Sequence, residues 1–540
     1  MEIDQILTGW NAGRLLAFSG LDGPTDFQQC LVGRTAFTGT GLDVKLPGKC
    51  HLQFSDQPPL SAVLAGDFFE LSFAGGSACR GVFLDTYHLL VEGACQVSQR
   101  GPGSRLSILR EGPLLLVGAR KHFDPALISA DFDAALRARR AWLAALPLPA
   151  GLAPERAWLL GRAFSQIKTM VYAPEGQIRR RFTTPDRWPH RGMWLWDSAF
   201  HAIGLRHIDV DLAREILEAV LDGQQPDGRV PLRTDPGSYD AEFTQPPVLC
   251  LAARLVDEMR PDPAWIERLY PRLAAYVGWD LARRDSDGAG LVEWAIEGDI
   301  YCRSGESGMD NSPRFDAATR LDAVDFNAFL ALECETLAGF ARQIGREDDA
   351  RAWEHTRQGL IERINSRLWD EQAGFYLDYD IQAGRHSSVL AASGFLPLIA
   401  GAPSPAQARR LAEHLANPAT FGTPLPVASV AASHPRHAPD MWRGPVWVNL
   451  NWLIAFGFER YGMHEQAELI RRKTVAEIEK FGLAYGTFFE FFDDRQQVDP
   501  PALLRKGKLA PRQSPFHQVF FDYGWTATLY VDLVFTHLNF

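Results

Sequence analysis

From Pro154 to the end, the chain keeps returning to one signal: apolar residues spaced at the helical period of 3.6. PERAWLLGRAFSQIKTMVY, WDSAFHAIGLRHI, VDLAREILEAVLDG, PPVLCLAARLVDEM and PAWIERLYPRLAAYVGWDLARR all carry it. So do VDFNAFLALECETLAGFARQIG, EDDARAWEHTRQGLIERINSRLW, PAQARRLAEHLA, VWVNLNWLIAFGFERYG and MHEQAELIRRKTVAEIEKFG. A short helix at SGFLPLIAG and a last one at GWTATLYVDLVFTHL bring the expected total to about twelve. The segments fall into neighbouring pairs with short and long connections alternating. Six helical hairpins predict an (α/α)6 barrel, a six-hairpin toroid. A solenoid would need a self-similar repeat of fixed length, and the sequence has none.

The first ~120 residues are built differently. AVLAGDFFELSFAGG, GVFLDTYHLLVEG and RLSILREGPLLLVGAR are short apolar runs broken by Gly, Pro and Ser. This predicts a smaller β-sandwich-like domain ahead of a mainly α chain. ADFDAALRARRAWLAALP is helical, capped by Asp131 or Asp133 and stopped by Pro147. The expected division is a β-rich domain over 1–125, a helical linker over 126–153 and a helical catalytic domain over 154–540.

Composition narrows the partners. A net charge of −11 disfavours nucleic acid and anionic membranes, which need clustered Lys and Arg. The runs Arg179–Arg181 and Arg137–Arg140 are short and suit a solvated face. The seven cysteines include no CxxC pair and are odd in number, which predicts no metal ligation and no disulfide framework. MEIDQILTGW is acidic where a secretory signal is basic, and no run of about 18 apolar residues occurs. A reducing, cytoplasmic protein without cofactor or metal is expected, and a homo-oligomer is left open. DSDGAGLVE, 285–293, lacks the 12-residue ligand pattern of a calcium loop and reads as a turn. The 15 Trp lean toward binding a ring-shaped ligand such as a sugar, with core packing as the alternative.

Chemistry concentrates in the loops. RGMWLWDSAFHAIG places Trp194, Trp196 and Asp197 ahead of an apolar helix. Asp197 is either an N-cap or a carboxylate for sugar hydroxyls, with the indole rings covering the CH face. The long 221–247 connection offers Arg233 and Gln245 as ligand contacts. YCRSGESGMDNSPRFD is too broken by Gly and Pro for a helix and too polar for a buried strand. In it Asp310-Asn311-Ser312-Pro313 reads as a helix-entry turn, and Asp310 is a cap or a carboxylate serving the site. PDMWRGPVWVNLNW crowds Trp442, Arg443, Trp447, Asn449, Asn451 and Trp452 into one helix entrance. In YGTFFEFFDDR, Glu490 lies between two Phe-Phe pairs. Buried, it must be paired or protonated, as a catalytic acid or base is; at a strand edge it would merely face water.

Two carboxylates facing each other suffice to hydrolyse a glycosidic bond. A separation of ~6.5–9.5 Å leaves room for an attacking water and inverts the anomeric centre, whereas ~5–5.5 Å gives a nucleophile and retention.

Taken together and in this order, RGMWLWDSAFHAIG, ESGMDNSPRFD, MWRGPVWVNLNW and FFEFFDD resemble glycoside hydrolase family 63 and its trehalase relatives in family 37. The likeness spans roughly 155–540. It implies an inverting, exo-acting α-glycosidase on an (α/α)6 barrel. Asp310 takes the place of the general acid, kept protonated by burial and by its neighbours. Glu490 takes the place of the general base. Trp194, Asp197, Gln245, Arg443 and Trp447 fall on glycone-subsite positions, and Trp196, Gly308, Asn311, Trp442 and Trp525 join them as substrate-binding candidates. The sequence departs from the family where Phe491 to Arg495 replace a Pro-x-Thr-Gly element, and where YGWTA, 523–527, replaces Phe-Ser-Trp-Thr-Ala. Gln496–Gln518 is a candidate lid or rim. The Arg- and Tyr-bearing insertion of glucosylglycerate hydrolases is missing after GMDNSPRFD, which favours a neutral α-glucoside or α-mannoside. Two other classes stay in view. A sugar epimerase or polysaccharide lyase would look to His190, His201, His434 or His437. A non-catalytic sugar-binding protein would keep the Trp residues and lose the carboxylate chemistry.

Overall fold

The computed structural model describes residues 2–99, 105–299, 301–507 and 519–537. It is helix-rich with a β-rich N-terminal region. Two antiparallel sheets come first. One runs, in spatial order, Leu15–Ala17, Val32–Thr35, Gly41–Leu46, Cys50–Gln53 and Gln96–Gln99. The other runs Leu106–Glu111, Leu114–Ala119, His88–Gly93, Ala78–Phe83, Phe68–Ser72 and Ser61–Leu64.

Alternation of side chains decides what each face meets. Leu16, Leu42 and Leu52 of the first sheet share a core with Phe69, Leu71, Leu89, Val91, Leu115 and Val117 of the second. The intervening Phe68, Val82, Leu90 and Leu116 point the other way, into the large core of the helical region. These strands are apolar on both sides because both sides are covered. Asp131 caps the helix Phe132–Ala144 by accepting the Ala134 N–H at 2.9 Å.

After Pro154 two kinds of helix occur. Every residue of Leu195–Leu205 is buried, as is nearly all of Val448–Arg460 and Gly524–Thr536. Val210–Asp222 and Glu347–Arg363 keep one apolar side and one wet side. The largely buried helices pack inside, against more exposed partners outside: Leu195–Leu205 on Val210–Asp222, Val324–Gln343 on Glu347–Arg363, and Val448–Arg460 on His464–Tyr485. The last helix, Gly524–Thr536, returns to pack on Pro154–Met170 and Leu195–Leu205, so the helical region closes on itself. At this closure a Cβ on Gly204 would sit 2.1 Å from the Thr528 carbonyl oxygen, an approach that glycine permits.

SGFLPLIAG forms a 3-10 helix, Ala392–Leu398. Arg180 and Arg181 pair with Glu218, Asp222 and Glu215 on the helix beneath, a solvated face as expected. Among the described residues, no helix is long and apolar enough to cross a membrane.

Candidate active site

The loops at one end of the inner helices enclose a cavity of about 640 Å³. Asp310 and Glu490 both line it, together with Trp194, Trp196, Asp197, Gln245, Gly308, Trp442, Trp447 and Trp525. Of the candidate substrate contacts, Asn311, Arg443 and Arg233 do not line it.

Its floor is aromatic. Trp442 and Trp447 stack face to face, with centroids 3.9 Å apart and planes 1° from parallel. Trp525 meets the edges of Trp447 and Trp196 at 5.5 and 5.2 Å. Among the described residues, the indole N–H groups of Trp194, Trp442 and Trp525 have no protein acceptor. Ring faces and free donors together suit a sugar, which presents CH groups and hydroxyls on one ring.

Asp197 is not an N-cap. Its helix begins at Leu195, with Trp194 as the flanking residue, so Asp197 lies in the first turn with its carboxylate in the cavity wall. Burial holds its acid form well above the usual carboxylate range, against a hydrogen bond from Tyr523 Oη at 3.4 Å. Gln245 Oε1 accepts the Trp196 N–H at 3.2 Å and thereby ties its loop to this helix.

The Gly- and Pro-broken stretch after Tyr301 serves two purposes. Glu306 faces inward as a brace. It accepts the Thr244 and Ala295 amides at 3.0 and 2.8 Å and pairs with Arg284. Gly308 has φ +70°, and a Cβ there would lie 2.3 Å from the Trp196 ring. The turn thus presses against the aromatic floor and delivers Asp310 beside it. Arg314, fully buried, anchors the far end between Asp325 and Asp378.

Asp310 is half-buried rather than enclosed. Its Oδ2 lies 2.7 Å from Lys506 Nζ, and the two side chains retain 18% and 20% of their surface. Asn311 turns away from the cavity, and its Oδ1 accepts the Trp442 N–H at 3.0 Å, joining two loops. Arg443 is displaced from the expected glycone subsite because Asp316 holds it, and it lines a second cavity next door. Arg233 is also corrected: half-exposed, it pairs with Asp235 at 2.8 Å. Asn451 braces the chain by donating to the Pro426 carbonyl and accepting the Val427 N–H.

Glu490 is 1% exposed, between Phe488, Phe489, Phe491 and Phe492, all buried. A strand edge open to water is therefore ruled out. Arg505 Nε lies 3.1 and 3.0 Å from its two oxygens, and the Phe520 N–H donates to Oε2 at 3.4 Å. Burial pushes the carboxyl up to about 7, with Arg505 opposing the shift.

Arg505 and Lys506 lie in the stretch read as lid or rim, whose residues 508–518 fall outside the described ones. Their segment is pinned: Leu504 N–H donates to the Pro439 carbonyl at 3.0 Å, and the Met441 N–H donates to Leu504 at 3.1 Å. Glu297, Asp299, Asp240 and Tyr523 also line the cavity without having been singled out. Of the four histidines, His190 lines it, with Nδ1 3.1 Å from Asp186 and its pKa lowered by burial. The turn at Asp285 draws Asp285, Asp287 and Glu293 within 4.8 Å of one another, but Asp285 accepts the Gly288 and Gly290 amides and Glu293 accepts from Ser286.

Residues 189–497 match the family model of the mannosylglycerate hydrolase MGH1-like glycoside hydrolase domain. The mannosylglycerate hydrolase of Thermus thermophilus is 29% identical over 398 residues, 58% of this chain and 92% of that one. The glucosylglycerate hydrolase of Mycolicibacterium hassiacum is 24% identical, over 57% of this chain and 87% of its own. A crystal structure of a glycoside hydrolase family 63 mannosylglycerate hydrolase from Thermus thermophilus in complex with glucose matches with a TM-score of 0.56. It is 27% identical and covers 69% of this chain and 99% of that one. The neutral trehalase of Saccharomyces cerevisiae, 18% identical with a TM-score of 0.53, shares the fold. The chain belongs to the mannosylglycerate hydrolase MGH1-like glycoside hydrolases, a group akin to family 63.

Proposed function

We propose that this glycoside hydrolase is an inverting, exo-acting enzyme that cleaves a small α-mannoside or α-glucoside, with Asp310 as general acid and Glu490 as general base. The observation carrying this reading is that both carboxylates wall one cavity with an aromatic floor. Asp310, at the cavity mouth, protonates the leaving oxygen. Glu490, held by Arg505, takes a proton from the water that attacks the anomeric carbon. Trp447 and Trp525 cover the sugar face, and Asp197 and Gln245 engage its hydroxyls. The helical region is an (α/α)6 barrel, and the chain divides into 1–125, 126–153 and 154–540. Free cysteines support a reducing, cytoplasmic setting.

The aglycone carries a carboxylate. The insertion missing after Asp316 argued for a neutral one, but other segments supply cations: Lys506 stands beside Asp310, and Arg303, Arg436 and Arg443 line the adjoining cavity. The relatives named for mannosylglycerate and glucosylglycerate support the same class.

Asp310→Asn keeps the shape and removes the proton. Turnover of mannosylglycerate or glucosylglycerate, whichever the wild type cleaves, should fall by at least ~10²-fold with the thermal midpoint unchanged. Near-normal turnover by a folded Asp310→Asn protein would remove Asp310 from its role.

A further inference from the structure

Lys506 stands where two cavities meet. It lines the sugar cavity and also the second one, of about 360 Å³. The second cavity presents Arg303, Arg436, Arg443 and Lys506 against Asp316 and Asp440, four cations to two anions. Arg436 and Arg443 are both committed to Asp316. Arg303 donates to the Phe315 carbonyl oxygen at 3.1 and 3.0 Å, and among the described residues it forms no ion pair. The space behind Asp310 is therefore electropositive, and Lys506 is the cation facing both sides.

The neighbouring cations differ in freedom. Arg505 is 7% exposed and spans both oxygens of Glu490, a fixed pair. Lys506 keeps 20% of its side-chain surface and holds one oxygen of Asp310. An ammonium on a four-carbon stem is a compact charge that can change partner by rotation, whereas a guanidinium fork is set in place. Lys506 has φ +59°, and the adjacent Gly507 leaves no room for a side chain, since a Cβ there would lie 2.3 Å from Asp440 Oδ2. The backbone is thus fixed, and the freedom belongs to the side chain.

We infer that Lys506 determines specificity for a charged aglycone by exchanging Asp310 for the aglycone carboxylate when substrate binds. This rests on the assignment of Asp310 as general acid and on an acidic aglycone. With Lys506 on Asp310, the ammonium occupies Oδ2, where the proton to be donated would sit. An arriving carboxylate replaces one anion by another around the same cation, so the exchange leaves the local charge count of the pair unchanged. Asp310 then takes one proton from solvent and passes it to the glycosidic oxygen as the C–O bond breaks. A neutral aglycone offers Lys506 no such partner, and Asp310 stays occupied. Charge recognition and release of the acid are one event.

The test compares α-mannosylglycerate with its neutral amide, or the glucosyl pair if the wild type prefers it. The readout is the ratio of the two kcat/KM values. The wild type should favour the acid by tenfold or more. Lys506→Met should lower that ratio at least tenfold, and Lys506→Arg, which keeps the charge but not the freedom to change partner, should leave most of that loss in place. A loss confined to positioning Asp310 would lower both substrates by the same factor and leave the ratio alone. That outcome, or a wild type indifferent to the charge, overturns the exchange while leaving the glycosidase reading intact. A wild type that cleaves neither sugar form overturns both.

Discussion

Glu490 has phenylalanine on both sides in sequence, a guanidinium against its oxygens and almost no exposure to water. Burial favours its neutral form, and Arg505 favours the charged one. Burial prevails, with the carboxyl pushed up to about 7. A general base works only when ionised, so the acidic limb of kcat/KM should rise with pH and be centred near 7. Arg505→Met removes the group that favours ionisation, so the limb should move to higher pH. A limb that stays put, or moves lower, in the variant's pH profile would show that another group governs it. At this scale the sequence marked Glu490 well, because four apolar neighbours force a choice between pairing and protonation. It did not mark Arg505 and Lys506 as its complement. Nothing local in Leu503-Leu504-Arg505-Lys506 says that two carboxylates await it from loops 15 and 196 positions back, since that pairing depends on the Pro439–Leu504 contact. Arg443 went the other way: its neighbours look like a ligand site, but Asp316 claims it.

Among the elements, helices were legible because their apolar period states both that they form and which side they bury. Leu195–Leu205 is mostly apolar and is buried on all sides. The exact start of a helix is weaker information. Three residues separate Asp197 as a cap from Asp197 as a cavity wall, and only the backbone decides between them. The turns were legible as turns, but their purpose was not. Glu306, Asp310 and Asp316 are three carboxylates within one loop, yet one braces, one faces the cavity and one holds arginines. Gly308 carries the clearest consequence at this scale. Its φ of +70° disfavours any side chain, and a methyl group would meet Trp196 at 2.3 Å. Gly308→Ala should cost about 1–3 kcal/mol of stability, from left-handed backbone strain and the displaced ring. It should also raise KM, since Trp196 lines the floor. Thermal unfolding and steady-state kinetics check both, and an unchanged thermal midpoint would mean the loop yields freely.

In the whole molecule, the β-rich start and the helical remainder were each readable from the spacing of apolar residues. Their relation was not. Leu89 and Leu90 look alike in the sequence, but one faces the companion sheet and the other the helical core. The N-terminal region also reaches toward the site. Arg14 pairs with Asp522 at 3.2 Å, and the Leu15 N–H donates to Asp522 at 2.7 Å, one residue before Tyr523, which bonds Asp197. The sheets thus support the segment that closes the cavity. On the proposed reading Asp310 and Glu490 act on one anomeric centre, and the stereochemistry of the product reports directly on how they act. Proton NMR of the wild-type protein with mannosylglycerate and glucosylglycerate, recorded from the first minutes, should show the β-anomer of the free sugar appearing first and mutarotating afterwards. The α-anomer appearing first would mean retention, and Glu490 could then not be the base that activates water.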